Sequence, residues 1–157
     1  MRLEDLVGNT PLIKIGDRLY AKFETYNPSG SIKDRIGCYI LKKAEERGDL
    51  KPGDTIVEAT SGNTGIAVAM FGAHNDYKVI IVMPCNMSEE RKKMMRMFGA
   101  EVIEVEEGDF DRAIAMRDHI CKDEGFFNFN QFHNPDNITC HYETTGVEIL
   151  SQIGDKK

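Results

Sequence analysis

Four short apolar runs, Thr55–Ala59, Val79–Met83, Val102–Val105 and Phe126–Phe129, alternate with helical patterns along this 157-residue chain. Antiparallel neighbours close with a tight turn, whereas parallel neighbours need a crossover of about a dozen residues or more. Each gap between these runs holds a helix, so the spacing predicts parallel pairing. The expected fold is α/β, a four-stranded parallel sheet with helices on both faces.

The helices are readable from their periods and their ends. Ile36, Tyr39, Ile40 and Ala44 recur at helical spacing up to a stop near Gly48. Asn63–Asn75 carries almost no charge and should be buried. Ser88 caps a helix that sets Met94, Met95 and Phe98 on one face and ends at Gly99. Asp109–Glu124 turns Phe110, Ala113, Ile114 and Cys121 inward, with Gly125 as terminator, and a last helix covers Asn137–Gln152. Upstream, Leu12–Ile15 and Leu19–Phe23 flank Gly16-Asp17 and read as a β-hairpin.

Charge excludes some functions. The net charge is −6 and the pI about 5.3, where a nucleic-acid binder shows a basic face. No stretch approaches the roughly 20 apolar residues of a membrane span, and Met1–Asp5 lacks the layout of a signal peptide. The expected compartment is therefore the cytoplasm. Cys38, Cys85, Cys121 and Cys140 form no C-x-x-C pair and read as reduced thiols. His74, His119, His133 and His141 have no metal-ligand spacing, so no metal is expected. Cys140 and His141 are sequence neighbours on a helix, about 100° apart around its axis, which disfavours a thiol–imidazole pair.

Parallel α/β sheets bind ligands in the loops leaving the carboxyl ends of their strands. One such loop is Thr60-Ser61-Gly62-Asn63-Thr64-Gly65. Gly62 lets a ligand approach the backbone, while Ser61, Asn63 and Thr64 add donors beside free helix N–H groups, which suits a carboxylate or phosphate. Capping by Ser61 or Thr64 is the simpler use of those side chains. The loop is neither G-x-G-x-x-G nor G-x-x-x-x-G-K-[ST], so it indicates neither a dinucleotide nor a nucleoside triphosphate. Two more loops, Pro84–Ser88 and Asn130–Pro135, share that end of the sheet. Gln131 and Asn134 are neutral hydrogen-bonding groups in the latter, where Asn134-Pro135 is also ordinary turn chemistry.

A further turn, Asn27-Pro28-Ser29-Gly30-Ser31-Ile32-Lys33, delivers a lysine to the first turn of a helix. A helix start favours anions, so a cation there is out of place unless something uses it. The local field favours the neutral amine, which is a nucleophile, making Lys33 a Schiff-base candidate. The adjacent Asp34 and Arg35 read as first-turn surface residues. A nucleophilic lysine facing an anion pocket suggests pyridoxal phosphate (PLP).

Asn27–Arg35, Thr60–Gly65, Gln131–Pro135 and His141–Gly146, with Gly8–Leu12 near the start, together resemble the cysteine synthase (O-acetylserine sulfhydrylase) branch of the fold-type II PLP enzymes. The motifs occur in the family's order across nearly the whole chain. The resemblance implies that Lys33 binds PLP covalently and later moves the substrate's α-proton, and that Asn63 bonds the cofactor's ring hydroxyl. Thr60, Ser61, Gly62, Asn63, Thr64 and Gln131 would form the substrate site. The implied reaction is β-replacement on O-acetylserine with sulfide, giving cysteine and acetate. Cystathionine β-synthase-like chemistry and O-phosphoserine as donor are alternatives; Pro28 and Thr144-Thr145-Gly146 look more like the sulfhydrylase.

The family also implies more protein than these 157 residues. A second domain supplies a Gly/Thr-rich phosphate loop and a serine opposite the pyridine nitrogen, and none of the 14 glycines here forms such a cluster. Residues 1–25 would pack on that large domain, and 26–157 would be the PLP/substrate-binding α/β domain. Expected partners are a small amino-acid substrate, a second copy or a complementary C-terminal chain, and the serine acetyltransferase that family members bind. The competing expectation is a non-catalytic half-domain that self-associates and binds no cofactor.

Overall fold

The computed structural model describes residues 1–154. Strands β1 (Leu12–Gly16) and β2 (Leu19–Lys22) form the antiparallel hairpin. Then follow α1 (Lys33–Arg47), β3 (Thr55–Ala59), α2 (Asn63–His74), β4 (Lys78–Pro84), α3 (Glu89–Met97), β5 (Glu101–Val105), α4 (Phe110–Glu124) and β6 (Phe127–Asn128). Helix α5 (Pro135–Cys140) runs through a wide π-helical turn, His141–Thr145, into α6 (Gly146–Ile153). The four-stranded sheet is parallel throughout, in the order β5-β4-β3-β6.

Strand side chains alternate between faces. Ile56, Val79, Ile81 and Met83 pack with α1, α2 and α3 residues such as Ile40, Phe71 and Met95. Val57, Ala59, Val82 and Val105 pack with Ala113 and Cys121 of α4 on the other side. Burying one such aliphatic side chain stabilises by roughly 1.5–3 kcal/mol. β3 is buried along its whole length because it lies inside the sheet, with helices on both faces. Helix α2 is also buried from Thr64 to Gly72, as its lack of charge predicts.

Helix ends follow local chemistry. Ser88 caps α3, accepting from the Arg91 N–H, and the Asp109 carboxylate caps α4, accepting from the Arg112 N–H at 2.8 Å. Asn134 caps α5 by accepting from the Asp136 N–H, with Pro135 in the first helical position. Gly48 and Gly125 end α1 and α4 with φ of +78° and +70°. Gly72 serves close packing instead: a Cβ there would lie 2.3 Å from Val79 Cγ2.

Two packing expectations need correction. Asp34 and Arg35 are buried, at 0 % and 2 % exposure, not surface residues. Phe110 is half-buried and sits edge-on to Phe132, ring centroids 6.3 Å apart, outside the core that α4 makes with the sheet. The final helix begins at Pro135 and widens into the π-helical turn before α6. No helix among the described residues is long and apolar enough to cross a membrane.

Candidate active site

Lys33 is the first residue of α1. No side chain caps this helix in the usual way; instead the Lys33 N–H donates to Ser31 Oγ at 3.1 Å. The turn before it is tied to the helix by Asp34, whose carboxylate accepts from the Ser29 N–H at 2.6 Å and from the Ser29 hydroxyl. Burial pushes the Asp34 carboxyl above its usual range, and the two Ser29 bonds oppose that. The turn that presents Lys33 is thus held by a buried acceptor.

Arg35 holds the other side. Its guanidinium donates to Glu24 and to Glu148, which join the N-terminal segment and α6 to α1. Burial would raise the Glu148 carboxyl, but bonds from Arg35, Lys22 and the Asn9 N–H outweigh it and hold it down at about 2. Burial likewise opposes ionisation of Glu24, and donors from Arg35, Thr10 and Asn27 keep its pKa below the ordinary value.

The loop after β3 reaches the same place. Its helix start is Gly62, whose N–H donates to Thr60 Oγ1, so neither Ser61 nor Thr64 caps α2. Thr64 spends its hydroxyl on Gln131, donating to Oε1 at 2.6 Å. Gln131 is fastened twice more: its N–H donates to the Glu58 carboxylate at 3.1 Å, and its carbonyl accepts from Asn137 Nδ2 at 2.8 Å.

These elements enclose a cavity of about 250 Å³ lined by Lys33, Thr60, Ser61, Asn63, Thr64, Gln131, Arg91, Phe110 and Phe132. The fold therefore brings together every residue that the family resemblance assigned to the site except Gly62. Gly62 is buried beneath Arg91, where a Cβ would lie 2.6 Å from Arg91 Cδ. Arg91 also donates to the Ser61 carbonyl at 3.2 Å. Asn134 is not a lining residue; it is the α5 cap.

Arg91, Phe110 and Phe132 had not stood out as wall residues. Phe132 belongs to the loop carrying Gln131, but Arg91 looks like any helix-surface cation and Phe110 like a core residue. Glu58 was missed too, although a lone carboxylate inside the run Thr55–Ala59 is a visible signal. Burial pushes its carboxyl up to about 7, partly opposed by the Gln131 N–H and by Arg117.

A larger cavity, about 520 Å³, lies between the N-terminal segment, α1 and α6. Arg35 at its wall is already bonded to Glu24 and Glu148. Cys38 and Cys140 line it as well. Burial pushes their thiols up to about 12 and about 11, so both stay protonated near neutral pH. All four cysteines are free, and no cluster of metal-ligating side chains occurs among the described residues. His141 bonds Thr145 through Nδ1, and burial together with the nearby Lys33 charge lowers its pKa.

The donor set fits PLP at its reacting end. Lys33 is a primary amine at a cavity wall, Asn63 is a neutral donor beside it, and the α2 N-terminus favours negative charge. Fold and site thus define an α/β domain that sets a primary amine in one pocket with an anion-favouring helix N-terminus.

Comparison with known proteins agrees. The pyridoxal-phosphate dependent enzyme family matches residues 3–157, and the chain belongs to that family. It is 47 % identical to cysteine synthase B of Salmonella typhimurium, over 98 % of this chain and 54 % of that protein. Among solved structures it resembles an O-ureido-L-serine synthase, with TM-score 0.93 and 38 % identity over 99 % of this chain and 52 % of that one. It also resembles a hydrogen sulfide-producing enzyme crystallised with an α-aminoacrylate intermediate, with TM-score 0.91 and 44 % identity over 96 % of this chain and 48 % of that one. The neighbours are fold-type II PLP enzymes, and PLP is the cofactor the family implies. The chain spans about half the length of the curated relatives it matches.

Proposed function

We propose that this chain carries the lysine-bearing and substrate-binding half of a cysteine synthase, a transferase of cysteine biosynthesis. The reaction is β-replacement on O-acetylserine with sulfide, giving cysteine and acetate. The observation that carries this reading is the convergence of Lys33, Asn63, Thr64 and Gln131 on one cavity from three separate stretches of chain. Residues 26–157 are the cofactor- and substrate-binding domain in this reading, and 1–25 pack on a second domain supplied by further chain or by a partner.

PLP, when bound, supplies an electron sink that stabilises negative charge at the substrate's α-carbon. Lys33 Nζ would hold the cofactor and, once released from it, would take the α-proton. Asn63 would bond the hydroxyl of the cofactor ring. Thr60, Ser61 and the α2 N–H groups, that of Thr64 included, would hold the substrate carboxylate, with the Gln131 amide as a further donor. Phe110 and Phe132 keep water from one side of the cavity. The chemistry of the site admits O-phosphoserine as an alternative donor, because Arg91 places a second cation at its wall.

Mixing the protein with PLP should give a near-visible absorption band that Lys33→Ala abolishes. Absence of the band in wild type, even with a second-half chain of the family added, would sink this reading.

A second reading rests on the exposed apolar side chains. Tyr26, Ile138, Tyr142 and Leu150 are exposed by 68 %, 77 %, 80 % and 74 %. Such a surface drives association, either with a second-half chain or with another copy in a non-catalytic assembly. Light scattering decides this: a strict monomer at all concentrations removes self-association.

A further inference from the structure

We propose that Glu58 is a positioning residue for the substrate-carboxylate site, acting through Gln131. The proposal rests on the reading of the Thr60–Thr64 loop and Gln131 as that site.

Glu58 lies on β3, two residues before Thr60, and is 0 % exposed. Its neighbours Ile56, Val57 and Ala59 are apolar and fully buried. A buried carboxylate is costly there, and strand packing gives it no purpose. Its charge partner explains little. Arg117 of α4 comes to 3.6 Å from Oε1, but neither Glu58 Oε1 nor Arg117 Nη1 makes a hydrogen bond. Arg117 is bonded instead to Asp118, whose carboxylate also accepts from Asn128. A buried ion pair of that quality can be replaced by apolar side chains at little or no cost in stability.

What Glu58 does hold is Gln131. Oε2 accepts the Gln131 N–H, which fixes the backbone at the point where the loop turns away from β6 toward α5. From there the side chain reaches back to Thr64 on α2. Because Thr64 donates to Gln131 Oε1, the other end of the carboxamide is an N–H donor; it helps hold the Glu58 charge, and it has the polarity a substrate carboxylate needs. Without the Glu58 acceptor, the Gln131 N–H is buried and unpaired, and the loop moves to satisfy it. The Thr64 bond and the donor then lose their register with the α2 N-terminus.

The test is L-serine affinity, read from amide shifts of Thr60–Thr64 in NMR titrations of the chain without cofactor. Glu58→Gln keeps an acceptor of the same shape and should bind within about threefold of wild type. Glu58→Leu removes the acceptor and should bind about tenfold more weakly, the scale of one lost hydrogen bond. The double variant Glu58→Leu/Arg117→Leu avoids a stranded buried charge and should show the same weakening while still folded. Wild-type affinity in the double variant overturns the proposal, as does an equal loss in Glu58→Gln and Glu58→Leu. A folded wild type that binds no L-serine overturns the carboxylate-site reading itself, before any Glu58 variant is made.

Discussion

Thr64, in the first turn of α2, donates its hydroxyl to the Gln131 carboxamide at 2.6 Å, joining residues 67 positions apart. Both side chains are buried at the cavity wall. The bond closes one side of the candidate site and fixes which end of the amide faces inward. Thr64→Val preserves shape and removes the donor. It should lower stability by about 1 kcal/mol, seen as a lower urea midpoint at unchanged slope. An unchanged midpoint would mean that the bond is absent in solution.

Gly72 tests the packing of α2 on the sheet. A methyl group there meets Val79 Cγ2 at 2.3 Å in a closed core. Gly72→Ala should destabilise by roughly 1–3 kcal/mol despite the better helix propensity of alanine, because overpacking outweighs propensity there. Chemical denaturation checks it; a stabilised variant would show that the α2–β4 contact is looser.

Acid should loosen the contact between the N-terminal segment and α6. The Glu148 carboxyl is held at about 2 against an ordinary 4.5. A depressed carboxyl contributes stability above its unfolded pKa and loses it as pH falls, here from about 4.5 toward about 2. Thermal melts between pH 6 and pH 2.5 should show that loss in wild type, and a smaller one in Glu148→Gln. Parallel curves for the two proteins would contradict the Arg35–Glu148 and Lys22–Glu148 pairs.

Glu58 has the opposite sign. Its folded pKa is raised, to about 7, so the native state binds the proton more tightly than the unfolded chain. The associated stability is complete below about 4.5 and lost as pH rises through about 7. Melts between pH 5 and pH 8 should therefore slope downward in wild type, with a shallower slope in Glu58→Gln. The Gln131 N–H, Arg117, the Ala59 N–H and the Gln131 carboxamide are the charged or polar groups that face this carboxylate and oppose the rise that burial causes. An identical slope in both proteins would remove Glu58 as the titrating group.

Most of the architecture was legible because it is written in local periods. The uninterrupted apolar run Val79–Met83 marked a buried strand, and Ser88, Gly48 and Gly125 marked helix ends by their own backbone chemistry. The site was legible as separate loops at the carboxyl ends of strands. The final helix was shorter in expectation, because a proline in the first turn reads as a break when it is in fact compatible with a helix start.

By itself, then, the sequence determined the α/β class, the hairpin, and which loops carry donors and the lysine, since each depends on residues a few positions apart. Only the tertiary structure decided the sheet order β5-β4-β3-β6 and the burial of Asp34 and Arg35. It alone turned Thr64 from a possible cap into the partner of Gln131 and gave Glu58 its hold on the same residue. Those outcomes depend on which distant groups share a desolvated space, where an unpaired donor or charge is costly enough to choose its partner.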